Sequence, residues 1–356
     1  MSSSVRSTLL IVLFTVISLL CGCSRNNYAE NQVYAVMMGI DKESDGINLT
    51  VRYPTLAGGQ GDSGAGSGSG YADGSATGKN FQEALVALRT IVPREINLSA
   101  LTMVVISDEL ASSNTFVQVL DGLADNYRMY SSSYIAICRG SASEFVANQE
   151  PDIGSRLSEG LKSLAENASE IGFIPGSRLA DVYYRINSVY SDPLIMCCAS
   201  EEAGKKPKNV YAGACVISDG KKALDLTARE TMLANMLSGD LKQLSYTSGD
   251  MAAEIAIDKG PDISIDVKNE LAINIKFKLS GKQINKSGNM QEIINALKSD
   301  LHSIIDKCAK NGVEPFGFAD KAAMKFTTLH DWNAYDWHEK LKNIDINISI
   351  TMEEVF

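Results

Sequence analysis

Leu101-Thr102-Met103-Val104-Val105-Ile106 is the stretch that indicates the fold of the first half of the chain. A short apolar run without alternation is typical of a strand that is covered on both faces. It is followed by a predicted helix at 115–126, a predicted strand at 133–138 and a predicted short helix at 141–148. Strands that alternate with helices indicate helices packed on a sheet. We therefore predict an N-terminal α/β domain over residues 33–200.

Upstream of this strand the sequence predicts a β-hairpin and a disordered loop. Residues 33–40 are apolar, 41–46 are turn-forming, and 47–53 alternate between apolar and polar side chains, as in two strands joined by a turn. From 58 to 78 the composition shifts to Gly, Ser, Ala and Asp. Such residues bury too little apolar surface to offset the entropy of ordering, so we expect 58–78 to be a disordered loop.

The second half of the chain indicates a different arrangement. Residues 201–208 combine Gly and Pro with charged side chains and are the best candidate for a linker. Residues 209–356 predict a C-terminal α+β domain with a candidate subdivision near 250–262. Its clearest elements are a long helix at 289–311 with one apolar face and a final alternating strand at 344–352. The fold class is thus α+β or mixed α/β, with mixed sheets packed with helices in two to three domains.

The first residues of the chain match a bacterial lipoprotein signal. Leu20-Cys21-Gly22-Cys23 follows the apolar run at 9–20, which is shorter than the roughly 20 apolar residues that span a bilayer. We predict that 1–22 is a lipoprotein signal peptide, that Cys23 is lipidated, and that 23–32 is a tether. Because each buried CH2 of an acyl chain contributes about 0.8 kcal/mol, a diacylglyceryl group on Cys23 would hold the protein at a membrane surface.

Composition excludes several classes of ligand. The formal net charge is −10, with 33 Lys and Arg against 43 Asp and Glu, which argues against nucleic acid and against anionic lipid headgroups as direct ligands. No C-x-x-C pair occurs, and the three histidines form no H-x-x-x-H pair, so we predict neither a metal site nor a cofactor.

The cysteines of the mature chain are expected to be buried free thiols. Apart from Cys23 they are irregularly spaced and odd in number: Cys138, Cys197, Cys198, Cys215 and Cys308. In strand-like apolar runs a thiol behaves as a small apolar side chain. Because the chain is expected to lie outside the cytoplasm, a disulfide bond stays open as an alternative.

Several short motifs follow one another along the chain, and together they indicate a family. They are Cys23 in its signal, Gly39-Ile40-Asp41-Lys42, Gly78 before Glu83-Ala84-Leu85, Glu109-Leu110-Ala111, Arg139-Gly140-Ser141-Ala142, Gly213-Ala214-Cys215-Val216, residues 233–239, Pro315-Phe316-Gly317-Phe318, and the paired Trp332 and Trp337. In this order they resemble the Ger(x)C lipoprotein subunit of spore germinant receptors. The resemblance covers nearly the whole mature chain. Where many relatives have an Asp-x-Phe-Gly-x-Gly pattern, this chain has Glu314-Pro315-Phe316-Gly317-Phe318-Ala319.

The resemblance implies a protein without catalysis and without a cofactor. Such subunits are lipid-anchored at the outer face of the spore inner membrane, beside a polytopic A-type subunit and a permease-like B-type subunit, and they are needed for germination in response to nutrients. The sequence agrees with an absence of catalysis, because it has no G-x-S-x-G nucleophile elbow. Which nutrient is sensed, and whether this subunit binds a small-molecule ligand, does not follow from the resemblance.

Two questions stay open at the level of sequence. Trp332 and Trp337 precede the final strand and are expected to pin it by packing, with a contact to a partner as the alternative. The alternative function is an extracellular solute-binding lipoprotein that delivers a small ligand to a transporter. Proteins of that kind usually have two similar lobes around a cleft, whereas the two halves of this chain look unlike.

Overall fold

The computed structural model describes residues 31–55, 70–125, 133–150, 156–203, 206–268, 271–285 and 288–354. The predicted signal peptide, Cys23 and most of the tether therefore lie outside the described residues. So does 56–69, which holds most of the predicted disordered loop. Within the described ranges, no helix combines the length and the apolar content that crossing a bilayer requires.

The first half of the chain forms an eight-stranded mixed sheet. Its strands lie in the order β10-β9-β8-β7-β6-β2-β3-β4. They are β2 (Met37–Glu43), β3 (Gly46–Pro54), β4 (Tyr71–Gly78), β6 (Met103–Ser107), β7 (Tyr134–Cys138), β8 (Leu194–Ala203), β9 (Lys206–Ser218) and β10 (Lys221–Leu226). The four strands β2, β6, β7 and β8 are parallel, and the remaining neighbours are antiparallel. Two short strands, β1 (Gln32–Tyr34) and β5 (Glu95–Asn97), form a separate parallel pair.

Helices cover both faces of this sheet, which explains why β6 and β7 are buried along their full length. On one face lie α1 (Phe81–Leu88), α2 (Asp108–Ala111), α3 (Thr115–Ala124) and α6 (Leu179–Ile186). On the other face lie α4 (Ala142–Ala147) and α5 (Leu157–Glu170). The two faces thus belong to two separate apolar cores. This half thus combines a mixed sheet with helices on both faces, in line with the predicted fold class.

The prediction of disorder over 58–78 is wrong for its last part, because Tyr71–Gly78 is the edge strand β4. The small residues of this strand allow α1 to lie against it. A Cβ atom on Gly78 would come within 2.3 Å of the backbone nitrogen of Ala84, and one on Gly74 within 2.6 Å of Val92 Cγ2. The Gly-rich composition therefore reflects a close approach of helix and strand.

The linker predicted at 201–208 is also corrected by the structure. Strands β8 and β9 lie on either side of it and pair directly with each other, up to Ala203 opposite Lys206. The described residues 201–203 and 206–208 are thus strand residues of the eight-stranded sheet, and this sheet continues to Leu226. Charged side chains and a proline indicate a linker, but both are also common in the edges and ends of strands.

The second sheet has five strands and packs on the long helix. The strands are β11 (Gln243–Ser248), β12 (Met251–Ala256), β13 (Asp262–Asp266), β14 (Ala272–Gln283) and β15 (Asp345–Glu354), which runs parallel to β14. Because β12 and β13 both pair with β14, the chain does not divide near 250–262 as predicted. The helices of this half are α7 (Ala228–Ser238), α8 (Met290–Lys310), α9 (Phe318–Ala323), α10 (Leu329–Tyr335) and α11 (Trp337–Leu341).

The two sheets share part of their apolar packing. Val216 of β9 and Leu226 of β10 are buried in the core that α7, α8 and the second sheet build. Helix α7 begins with a capping box, in which Thr227 and Glu230 satisfy each other's backbone N–H groups. Lys307 of α8 forms an ion pair with Glu230 at 2.7 Å, so the start of α7 is also attached to the long helix. Mixed sheets packed with helices, the predicted fold class, describe the whole arrangement.

Candidate functional site

Two buried carboxylates lie at the junction between the two halves of the chain. We use the term junction for Asp192, Glu314, Trp332, Trp337 and His338. Asp192 precedes β8 in the first half, and Glu314 follows α8 in the second. Both carboxylates are buried, at 6% and 2% exposure. A buried carboxylate is costly unless its oxygens accept hydrogen bonds, so the partners of these two groups define what the junction does.

Glu314 orders the turn between α8 and α9. Its Oε1 accepts the backbone N–H of Phe316 at 2.7 Å, and its Oε2 accepts that of Ala319 at 2.8 Å. Gly317 lies between them at φ 79°, a left-handed conformation that favours glycine. The motif Glu314-Pro315-Phe316-Gly317-Phe318 is thus a self-contained turn that starts α9. Its Phe316 and Phe318 side chains are buried in the core of the second half.

Asp192 joins three separate segments of the chain. Its Oδ2 accepts the backbone N–H of Glu314 at 2.8 Å and lies 3.4 Å from Nε2 of His338 in α11. One carboxylate therefore holds the loop before β8, the turn after α8 and the start of α11. Each hydrogen bond to a charged group contributes about 1.5–3 kcal/mol, so the junction is a structural joint of substantial strength.

The pKa values of Glu314 and His338 in the junction are both shifted in the folded chain. Burial raises the pKa of Glu314 to about 8, and the backbone N–H groups that it accepts only partly oppose this shift. The hydrogen bond to Asp192 raises the pKa of His338 above its usual value, and burial of the imidazole opposes this. Both groups therefore hold a proton more firmly in the folded chain than in the unfolded chain.

The two tryptophans lie beside these carboxylates as a stacked pair. Their ring centroids are 5.7 Å apart with an interplanar angle of 29°. Trp332 also contacts Tyr190 of the first half, at 5.6 Å, and Phe326, at 5.5 Å. Each tryptophan is only 5% exposed, so a partner would meet no more than the edges of the rings. The indole nitrogen of Trp337 has no hydrogen-bond partner within the part of the chain that the structure describes.

A polar cavity of about 310 Å³ opens at the junction. It is lined by Asp192, Glu314, Trp332, Trp337 and His338, together with Asp336 at the left-handed start of α11. In this arrangement the carboxylates accept backbone N–H groups and the imidazole faces a carboxylate. These contacts hold three segments of the chain in fixed positions relative to one another, so the role of the junction is structural.

The remaining residues singled out from the sequence are distributed over the molecule. Cys23 lies outside the described residues. All five of Cys138, Cys197, Cys198, Cys215 and Cys308 are buried, as predicted, and none is bonded to another in the structure. His302 lies half-buried in α8, next to the buried Leu301.

Sequence reasoning missed Asp192 and the role of Glu314. Asp192 stands in Ser191-Asp192-Pro193, a typical turn sequence that carries no sign of burial. In the sequence, Glu314 is marked only by its departure from the family pattern. Its position directly before Pro315-Phe316-Gly317 was the one available signal, because a carboxylate next to a turn with a glycine often accepts backbone N–H groups.

Comparisons with known proteins agree with this architecture. A family model described as "Spore germination protein N-terminal domain" matches residues 26–198, and a model described as "Spore germination B3/ GerAC like, C-terminal" matches residues 212–353. No curated protein matches the chain significantly.

One solved structure has a similar fold along nearly the whole length of both chains. It is titled "Crystal Structure of the GerBC protein", and it aligns with a TM-score of 0.57 and 16% identity over 90% of this chain and 97% of that one. At this identity the match shows the fold. The two family models together span most of the sequence, and the chain therefore belongs to the GerAC-like family of spore germination proteins.

Proposed function

We propose that this protein is the lipid-anchored, non-catalytic C subunit of a nutrient germinant receptor, held at the outer face of the spore inner membrane. The observation that carries this proposal is the family membership of both halves of the chain. The lipoprotein signal that ends at Cys23 supports the anchoring, since it leaves one acylated thiol at the start of the mature chain.

The geometry supports a mechanical role. The junction attaches the loop before β8 to the turn after α8 through Asp192 and Glu314, so a force on one sheet is transmitted to the other. In the receptor, a change in how this body packs on the A-type and B-type subunits would contribute coupling free energy to the response. With a formal charge of −10 the protein gains nothing from anionic headgroups, and its attachment depends on the lipid.

The anchor can be tested by labelling sporulating cells with radioactive palmitate. We expect the wild-type chain to carry the label in the membrane fraction, and Cys23→Ala to lose it because the acylated thiol is gone. Cys21→Ala is the matched control, since it removes a neighbouring thiol and leaves the acceptor in place. Label on the Cys23→Ala chain would contradict lipidation at this residue.

The assembly can be tested by purifying a tagged chain from detergent-solubilised spore membranes. We expect two integral membrane proteins to copurify, one polytopic and one permease-like. Deletion of the gene should abolish germination in response to one set of nutrients while growth and sporulation stay normal. Unchanged germination with every nutrient would refute the proposal.

The alternative function, delivery of a small ligand to a transporter, gains no support from the two sheets. They differ in strand number and in strand order, whereas solute-binding lipoproteins usually have two similar lobes. A thermal-shift screen of the full chain in detergent would reveal a tightly bound small molecule. We expect no ligand to produce a large shift.

A further inference from the structure

Two buried thiols meet between β8 and β9. The sulfur atoms of Cys197 and Cys215 are 2.7 Å apart, and both side chains are at most 1% exposed. The register of the two strands shifts here, because Met196 pairs with Ala214 and Cys198 with Tyr211, so Cys197 lies opposite the bulged residues 212 and 213 of β9. Cys215 pairs with Ile195, and residues two apart in a strand share a face, so the thiols of Cys197 and Cys215 are diagonal neighbours on one face of the sheet. A disulfide bond is about 2.0 Å long, so a small side-chain movement would bring the two atoms to bonding distance.

The fold sorts the thiols into pairs on opposite faces of the sheet. Cys197 and Cys215 belong to the core beneath α1 and α3, whereas Cys198 and Cys138 belong to the core beneath α4 and α5. Neighbouring residues of a strand point to opposite faces, so Cys198 cannot replace Cys197 as the partner of Cys215. Cys308 lies in α8, in the core of the second half.

We propose that Cys197 and Cys215 form a disulfide bond in the mature protein. The inference rests on the proposed location outside the cytoplasm, where disulfides persist. The bond would be a cross-link between the two regions that match the family models. Cys197 lies in the match that ends at residue 198, and Cys215 lies in the match that begins at residue 212. The bond would lie between the neighbouring strands β8 and β9.

The oxidant is a small disulfide or an oxidised thiol–disulfide oxidoreductase. The thiolate of Cys215 attacks one sulfur of this oxidant, forms a mixed disulfide and releases one thiolate. The thiolate of Cys197 then attacks the Cys215 sulfur and releases the second. Overall, the two protein thiols lose two protons and two electrons, and the external disulfide is reduced to two thiols.

The surroundings of Cys215 determine when this exchange takes place. The hydrogen bond with Cys197 and burial both raise the pKa of Cys215, and Asp225 lies 3.3 Å from its sulfur. The thiolate is therefore disfavoured once the sheet has closed. Exchange is expected while the hairpin of β8 and β9 is still forming, when both thiols are open to solvent.

The test is peptide mapping of the full chain, purified in detergent, reduced, and refolded from denaturant in glutathione and glutathione disulfide. Free thiols are then alkylated under denaturing conditions, and the chain is digested with trypsin. Lys205 and Lys208 lie between the two cysteines, so the bond would hold two tryptic peptides together until reduction. Because Cys197 and Cys198 share one tryptic peptide, variants must separate them.

We expect the linked peptides in the wild-type chain and in Cys198→Ser, the matched control, and their absence in Cys197→Ser and Cys215→Ser. Reduction of the linked chain should lower its Tm by about 5 °C, because the bond restricts the unfolded state. Complete alkylation of all the thiols of the refolded wild-type chain, or a link that persists in Cys197→Ser, would overturn the proposal.

A metal is the competing occupant of this site, since donor atoms of Cys197, Cys215 and Asp225 lie within 4.8 Å of one another. Refolding in the presence of zinc, followed by metal analysis, decides between the two. The proposal would be overturned if each chain bound one zinc ion and formed no linked peptides even with glutathione disulfide in excess. Because refolding is carried out on the isolated chain, its outcome is distinguishable from a failure of the palmitate experiment.

Discussion

A single buried carboxylate organises the turn on which the second half of the molecule depends. Glu314 accepts the backbone N–H groups of Phe316 and Ala319, and its own backbone N–H is bound by Asp192. The carboxylate oxygens replace the water molecules that these N–H groups bind in the unfolded chain. Truncation of the Glu314 side chain would leave two buried N–H donors unpaired. Buried unpaired donors are one of the few causes by which a single substitution lowers the free energy of unfolding by several kcal/mol.

We predict that Glu314→Ala lowers the free energy of unfolding by about 3 kcal/mol, measured by urea denaturation, because two buried N–H groups lose their acceptors. Glu170→Ala is the control, since Glu170 is exposed at the end of α5 and should change stability by less than about 0.5 kcal/mol. Equal effects of the two substitutions would mean that Glu314 does not order the turn.

The same residue predicts a dependence of stability on pH. Because the pKa of Glu314 is raised to about 8 in the folded chain, the folded state binds more protons than the unfolded state between about pH 4.5 and pH 8. Stability from this group is therefore lost as pH rises through that window. The raised pKa of His338 acts in the same direction above about pH 6.5.

We expect the difference in unfolding free energy between the wild-type chain and Glu314→Gln to decrease from pH 5 to pH 8.5. Taking this difference removes the contributions of the other titrating groups, several of which act in the opposite direction. Urea denaturation at a series of pH values measures it. A difference that stays constant with pH would show that Glu314 titrates normally.

At the scale of elements, the edge strand β4 has a Gly-rich composition that predicts disorder, yet it forms an ordered strand. Tyr71–Gly78 is rich in small residues, and its backbone lies directly against α1. It is also attached through Asp73, which accepts from the buried guanidinium of Arg52 in β3 at 2.6 Å. The strand is thus ordered by contacts with its neighbours, and its own side chains contribute little apolar area.

Substitution of glycine by alanine tests this close approach. We predict that Gly78→Ala destabilises the protein by about 2 kcal/mol, because the new Cβ atom would lie 2.3 Å from a backbone nitrogen of α1. Gly70→Ala is the matched control, since no atom of the described residues lies within 4 Å of a Cβ atom there. Urea denaturation of both variants measures the difference, and an unaffected Gly78→Ala would contradict the packing of α1 on β4.

At the scale of the whole molecule, the two sheets are expected to unfold together. Their cores meet where Val216 and Leu226 pack under α7, and their polar groups meet at the junction. Such a connection lets a change in one half affect the other, because two independent halves would have no coupling free energy between them.

Calorimetry tests this cooperativity. We expect one heat-capacity peak for the wild-type chain, and a lower Tm with a broadened or divided peak for Asp192→Ala, because the joint between three segments is removed. Asp125→Ala, an exposed change at the end of α3, should leave the peak unchanged. A single unshifted peak for Asp192→Ala would show that the junction does not couple the two halves.

The sequence by itself determined the elements whose signal is local. The apolar run at 101–106 predicted a buried strand because a strand covered on both faces needs apolar side chains throughout, and the apolar face at 289–311 predicted α8 because helical periodicity is a property of neighbouring residues. The order of the family motifs likewise identified the family.

Only the tertiary structure decided the pairing of distant segments. Strand β4 and the paired segments 201–203 and 206–208 lack apolar alternation, and their order comes from backbone hydrogen bonds to neighbouring strands. The contact of Asp192 with Glu314 and that of Cys197 with Cys215 bring together residues far apart in the chain. No local pattern marks such contacts, because their free energy depends on burial that exists only after both sheets have formed.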